Sequence, residues 1–301
     1  MIVAGVDPVS GPEKTGTTIS TPMSTPMSAP VSVSNLALRV LSAMVLAPLA
    51  IFAAYRGGWA FTLFWGLAAI AVLWEWTTLV VGPANRLMLS SCGGGIAAAG
   101  FVAWLGRPVA AMLVVGLGGL AAAIFAPDAR RLWVTAGIGY AGAMLLAPVF
   151  LRADDTFGFA VIVLLFAIVW TTDIFGYFAG RAIGGPKLLA VVSPKKTWSG
   201  AIAGVAGAVL VALFVASMFG SFNRLAIIVI AFVLSVVSQC GDLFESWVKR
   251  QFGAKDSSHL IPGHGGVMDR LDGFWAAALV GCAIGLVRGG FDAPARGLLQ
   301  W

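Results

Sequence analysis

Charge is scarce in this chain. Asp, Glu, Lys and Arg make up 11% of its 301 residues, against about a quarter in an average soluble domain. With a mean hydropathy of +0.93, that excludes a water-soluble fold. Histidine occurs twice and cysteine three times. Cys92, Cys240 and Cys282 each lie within or at the end of a different apolar run, with no CxxC spacing, which argues against a zinc site or redox pair and reads as packing. His259 and His264 form neither HxxxH nor HExxH, so the zinc hydrolases are excluded as well. The net charge is only +6 and no basic stripe with interleaved aromatics occurs, so nucleic acid is not an expected partner. The basic start and apolar run of a signal peptide are missing. Residues 1–35 carry "STPMSTPMSAPVSVS" instead, a Ser/Thr/Pro tract expected to be disordered.

What is abundant is apolar length. Nine runs are candidates to cross a bilayer, at 36–55, 59–81, 91–106, 108–126, 132–151, 157–180, 199–220, 224–243 and 273–288, since a spanning helix needs roughly 20 apolar residues. The third and ninth are short, which leaves eight as the alternative count. The expected fold is all-α, a polytopic transmembrane helix bundle of about nine spans. With that count, thirteen of the 19 Lys and Arg fall on the N-terminal side and in the even-numbered loops, and cytoplasmic loops retain such residues. A multi-pass protein of the inner cell membrane is expected, with loops 181–198 and 244–272 in the cytoplasm. Acidic residues divide the chain too. Spans one to five hold almost none apart from Glu75, whereas 157–273 holds Asp173, Asp242, Glu245, Asp256, Asp269 and Asp272. Residues 36–156 therefore read as transmembrane scaffold and 157–301 as the catalytic region.

The polar stretches carry the chemistry. "VWTTDIFGYFAGR" places Asp173 inside the sixth span, where an ionised carboxylate costs about 2.5 to 3.5 kcal/mol on insertion scales unless paired or wetted. A helix-bonding contact and a cation or substrate site are both open readings. "SPKKTWSG" sets Lys195 and Lys196 just before the seventh span. Its Ser-Pro start at Ser193 suits a helix N-terminus that attracts phosphate, with simple topological anchoring as the alternative. "SQCGDLFESWVKR" puts Asp242, Glu245 and Lys249 on one helical stripe, on which Glu245 can pair with Lys249 and leave Asp242 free for a cation. "PGHGGVMDRLDG" supplies Asp269 and Asp272 after a turn containing His264, Gly265 and Gly266, whose amides can approach an anion closely. Carboxylates without thiols suit Mg²⁺. Acids and bases mixed in one cytoplasmic pocket describe a site for a metal-bound polyphosphate.

From Ser246 to Asp272, "SWVKRQFGAKDSSHLIPGHGGVMDRLD" resembles the signature of the phosphatidate cytidylyltransferases (CDP-diacylglycerol synthases): Ser-x-apolar-Lys-Arg, then Lys-Asp, Pro-x-His-Gly-Gly and Asp-Arg-x-Asp. "SPKKTW" and "TTDIFGYFAGR" are similar to other segments of that family, and the span pattern agrees over 36–288. Ser199 departs from the Glu or Gln that many members carry after the Trp. The resemblance implies transfer of a cytidylyl group from CTP to phosphatidic acid, giving CDP-diacylglycerol and pyrophosphate for phospholipid synthesis. It implies Mg²⁺ held by Asp242 and Asp269, with Asp173, Asp256 and Asp272 as further ligands or supporting groups and a second cation admitted. It implies a catalytic set of Asp242, Asp269, Lys196, Lys249 and Arg270. Substrate contacts fall to Ser193, Lys195, Lys196, Arg250, Lys255, His264, Gly265 and Gly266. Expected partners are CTP, phosphatidic acid and membrane lipid, with a homodimer left open. The rival reading is a cation-coupled transporter; no repeat relates the two halves, and the acids cluster toward one surface. A histidine-type lipid phosphatase would need more histidines than this chain has.

Overall fold

Backbone amides find no water inside a bilayer, so a chain this apolar has to satisfy them within each segment. The computed structural model describes residues 35–82, 86–261 and 265–301. Among the described residues it forms nine long helices: α1 (Asn35–Arg56), α2 (Gly58–Val81), α3 (Arg86–Trp104), α4 (Pro108–Phe125), α5 (Arg131–Arg152), α6 (Gly158–Ile183), α7 (Trp198–Phe219), α8 (Arg224–Gln251) and α9 (Met268–Gly289). A short α10 (Pro294–Leu299) follows, and an antiparallel hairpin of β1 (Lys187–Leu189) and β2 (Ser193–Thr197) joins α6 to α7. Seven of the helices are long and apolar enough to cross a membrane, while α1 and α3 contribute the shorter apolar stretches Met44–Arg56 and Leu89–Trp104. The expected all-α bundle is the fold. The Ser/Thr/Pro tract up to Ser34 and His264 lie outside the described residues.

The structure corrects two boundaries. α8 runs on to Gln251 and α9 begins at Met268, so the polar segment between them shrinks to 252–267. Asp242, Glu245 and Lys249 continue the helical spacing beyond the apolar run, and the helix continues with them rather than ending there. Ser193 and Pro194 do not start a helix. They belong to β2, and α7 begins at Trp198, capped by Thr197, whose Oγ1 accepts the Gly200 amide at 3.2 Å. Proline lacks an N–H and is tolerated on an edge strand, and both strands of this hairpin are edges.

α5 is the inner helix, with 78% of its apolar window buried against 17% for α4. Aromatic rings tie the early helices to the late ones. Trp65 of α2 stacks on Phe274 of α9 with centroids 4.7 Å apart, and Phe166 of α6 meets the same ring at 5.0 Å. Tyr140 of α5 stacks on Trp275 at 4.3 Å and accepts the indole N–H of that residue on its carbonyl at 3.0 Å. α9 is thereby fixed among α2, α5 and α6.

Lipid gives helices no hydrophobic reason to associate, so close approach through small residues takes over. α7 presents Gly204 and Gly207 to α6. A methyl group on Gly204 would come within 2.7 Å of the Thr172 carbonyl oxygen, and one on Gly207 within 2.6 Å of the Phe175 ring. This seam sets the hairpin beside the Asp173 end of α6. Gly204→Leu should force the helices apart at an overpacking cost of about 1–3 kcal/mol, lowering the thermal midpoint of the purified protein in detergent. An unchanged midpoint would show that the seam yields.

Candidate active site

The C-terminal parts of α2, α6 and α8 meet the start of α9, the hairpin and residues 252–261 and 265–267. Polar groups from these distant segments satisfy one another there in two linked sets.

In the first set, Lys196 of β2 forms an ion pair with Asp242 of α8, and the Ser246 hydroxyl donates to Asp242 Oδ1 at 3.4 Å. Asp242 is therefore not left free by the Glu245–Lys249 pair, as its stripe suggested; the hairpin folds a lysine across onto it. Asp173 lies in the field of Asp242, Lys196 and Arg270, and Asp272 in that of Asp242 and Asp173. Ser199, the departure from the family pattern, donates to the Gly184 carbonyl and lies 3.0 Å from the Thr197 hydroxyl. It fastens the first turn of α7, just after the hairpin, to the end of α6.

The second set is buried. Lys249 bridges Glu245 at 3.2 Å and Asp269 at 2.6 Å. The first contact is the intrahelical pair expected from the stripe; the second joins α8 to α9. Asp269 also accepts the amides of Ser257 at 3.0 Å and Gly266 at 2.8 Å. Behind it stands Glu75 of α2, fully buried. Its Oε1 accepts the Ser258 hydroxyl at 2.6 Å and the Val267 amide at 2.8 Å. Its Oε2 accepts the Ser257 hydroxyl at 3.2 Å and the Met268 amide at 2.7 Å. The anion approached by the glycine turn is thus the protein's own. Gly265, at φ +88°, leaves room for Asp269, whose Oδ2 would lie 2.7 Å from a Cβ there, and Gly266 does the same for Glu75 Oε1 at 2.6 Å.

The remaining predicted residues surround these sets. Ser193 opens β2 opposite Leu189. Lys195 is exposed, while Lys196 is half-buried. Arg250 is exposed and donates to the Ala254 carbonyl at 2.8 Å. Arg270 is exposed on the first turn of α9, and Lys255, Asp256 and His259 are exposed on the segment before it. Asp256 joins neither set, which separates it from the acids with which the sequence grouped it. Glu75, Ser257 and Ser258 were not among the predicted site residues. The available signal was a lone carboxylate in an otherwise apolar run, which needs a partner.

Among the described residues, no three of His, Cys, Asp and Glu form a ready-made metal cage. The Asp269 oxygens are engaged by Lys249 and two backbone amides, as Asp242 is engaged by Lys196. Asp173, Asp242 and Asp272 interact electrostatically without forming such a cage; Mg²⁺ needs only one or two carboxylates and completes its shell with water and phosphate.

A bundle of apolar helices that gathers lysines and carboxylates in one place has the groups that chemistry on a phosphorylated substrate requires. The comparisons make it specific. The model of the cytidylyltransferase family matches residues 37–286. The chain is 44% identical over 265 residues to the phosphatidate cytidylyltransferase of Brucella suis biovar 1 (strain 1330), covering 87% of this chain and 97% of that one. It is 46% identical over 249 residues to that of Brucella abortus biovar 1 (strain 9-941), covering 82% and 92%. A shorter match, 47% over 120 residues, reaches the phosphatidate cytidylyltransferase of Rickettsia bellii (strain RML369-C), covering 37% and 52%. The chain belongs to the cytidylyltransferase family.

The geometry distinguishes the two lysines. Lys196→Ala leaves Asp242 unpaired beside Asp173 and Asp272, and turnover should fall on the order of 10²-fold, as on loss of one donor to developing charge. Lys195→Ala removes a solvated charge and should cost less than about fivefold. Equal losses in a steady-state assay would show that the Asp242 pairing is irrelevant to the reaction.

Proposed function

We propose that the protein transfers the cytidylyl group of CTP to phosphatidic acid, forming CDP-diacylglycerol and pyrophosphate, at the end of the bundle where Lys196, Asp242, Lys249 and Asp269 come together. The observation that carries this reading is the likeness to phosphatidate cytidylyltransferases along nearly their whole length. The geometry supports it, because a reaction between two anions needs cationic groups held at a boundary that a soluble nucleotide and a lipid headgroup can both reach.

The chemistry asks little of the protein as a base. An oxygen of the phosphatidate is already anionic and attacks the α-phosphorus of CTP; the bond from that phosphorus to the bridging oxygen breaks, and pyrophosphate leaves with the electron pair. The obstacle is charge repulsion and its growth on the leaving group, which fixed cations relieve. Lys196 sits on a hairpin beside the acids and can exchange Asp242 for a phosphate oxygen. Asp242, released from the lysine, then joins Asp173 and Asp272 as the group that would hold Mg²⁺. The bound ion would neutralise triphosphate charge and orient the leaving group. Lys249, clamped by Glu245 and Asp269, keeps α8 and α9 in register. Arg270 and Lys195, both exposed, are placed to meet phosphate arriving from water.

The excess of Lys and Arg on this end supports a cytoplasmic site in the cell membrane. A cation-coupled transporter is less well supported, because no repeat relates the two halves and the relatives matched along nearly their whole length are phosphatidate cytidylyltransferases.

Purified protein in detergent, given phosphatidic acid and each ribonucleoside triphosphate in turn, should yield lipid-linked nucleotide with CTP alone, and only when Mg²⁺ is present. Product from another nucleotide, or undiminished product in excess chelator, would overturn the assignment of substrate or metal. In intact cells, a cysteine introduced as Asp256→Cys, at an exposed position, should resist an impermeant thiol reagent added outside. Labelling there would reverse the orientation.

A further inference from the structure

We propose that Glu75 is a positioning residue of the reaction: a carboxylate of the N-terminal half that clasps Ser257, Ser258 and the first amides of α9, and so holds residues 257–258 and 266–268 in the register that gives Asp269 its amides and Lys249. The proposal rests on the cytidylyl-transfer reading for its kinetic consequences, but not for its structural one.

The argument starts from burial. Glu75 has no accessible surface, so it touches neither substrate, and it accepts four hydrogen bonds, two from hydroxyls and two from the backbone where α9 begins. A carboxylate at that place satisfies amides that a helix start leaves without partners and lies at the positive end of the helix dipole. Two residues clasped by Glu75 or adjoining its contacts are the ones that grip Asp269: Ser257 binds Glu75 through its hydroxyl and Asp269 through its amide, and Gly266, whose amide binds Asp269, precedes Val267. Asp269 in turn holds Lys249. A displacement at Glu75 therefore reaches Asp269 and Lys249 through two short covalent links, and Gly266 has no side chain because one would strike Glu75 Oε1 and the Ser257 hydroxyl.

Glu75→Gln tests this on the full-length protein in detergent. The amide keeps the size of the side chain but replaces one acceptor oxygen by a donor, so either the Val267 or the Met268 amide loses its partner, whichever oxygen is replaced. Hydrogen exchange over 257–268 should accelerate at least about tenfold, and kcat per folded molecule should fall by about 10- to 100-fold with the KM for CTP changed by less than about threefold, since a small misplacement of catalytic groups acts on turnover. Glu75→Asp, which keeps the charge, should recover part of both. Should Glu75→Gln fail to fold, Ser258→Ala removes one donor without stranding a charge, and should give faster exchange over 257–268 and a several-fold lower kcat. Wild-type exchange over that segment, or less folded protein with unchanged kcat per folded molecule, would overturn the proposal in either variant. The exchange measurement needs no substrate, so its outcome is independent of whether CTP is the nucleotide.

Discussion

A carboxylate taken out of water has to be met by donors, and the placement of the site depends on how Glu75 is met. Desolvating an ion costs several kcal/mol even after relaxation, and in this protein the compensation comes from four hydrogen bonds delivered by one segment and one helix start. Hydrogen bonds to an ionised group are shorter and roughly twice as strong as neutral ones, so the contact orders the segment that makes it. α2 thereby decides where α9 begins. Because Asp269 lies on the first turn of α9 and accepts amides from the same segment, the positions of Asp269 and Lys249 follow from an acid more than 170 residues earlier in the chain.

The two ion-pair sets differ in how readily they break. Lys196 and Asp242 keep 28% and 27% of their side-chain surface, whereas Lys249, Glu245 and Asp269 keep 10%, 1% and 7%. A pair that keeps contact with solvent is screened more than a buried one, so a phosphate can replace the carboxylate more readily there. Breaking a buried pair strands a charge and costs about 3–5 kcal/mol. The exposed pair suits a group that changes partners during turnover, and the buried set suits a frame that does not.

Much of this was legible in the sequence because lipid restricts the choices. Apolar runs of spanning length leave the backbone only helices to form, and every long run became one. The Asp242–Glu245–Lys249 stripe was readable because helical spacing places residues three and four apart on one face. What escaped were contacts between segments far apart in the chain. Nothing local to "LWEWTT" says which donors Glu75 will meet, and nothing in "PGHGGVMDRLD" says that the anion beside its glycines is internal. The "SPKKTW" start misled for a related reason: Ser-Pro is a helix-start signal by local preference, but antiparallel pairing with Lys187–Leu189 takes those residues into a strand, and Thr197 does the capping. Asp242 was read as free because the lysine that pairs with it arrives by that hairpin.

The position of the polar sets at the helix ends follows from the two substrates. A nucleotide cannot enter hydrocarbon and a diacyl lipid does not leave it, so the phosphates can meet only at the interface, where α8 emerges from its apolar run and carries Asp242 to Lys249 beyond it. Phe244 and Trp247 lie on the same stretch and pack on Tyr140, Trp275 and Trp133, which ties this part of α8 to α5 and α9 independently of the charges. The last carbonyls of α8 accept the amides of Phe252, Gly253 and Ala254, while the first amides of α9 find their partner in Glu75. Lys249 bridging to Asp269 then ties the end of α8 to the start of α9. The buried acid of the apolar half and the charged stripe of the polar half are therefore two ends of one solution to the problem of keeping a rigid polar site at the surface of a bilayer.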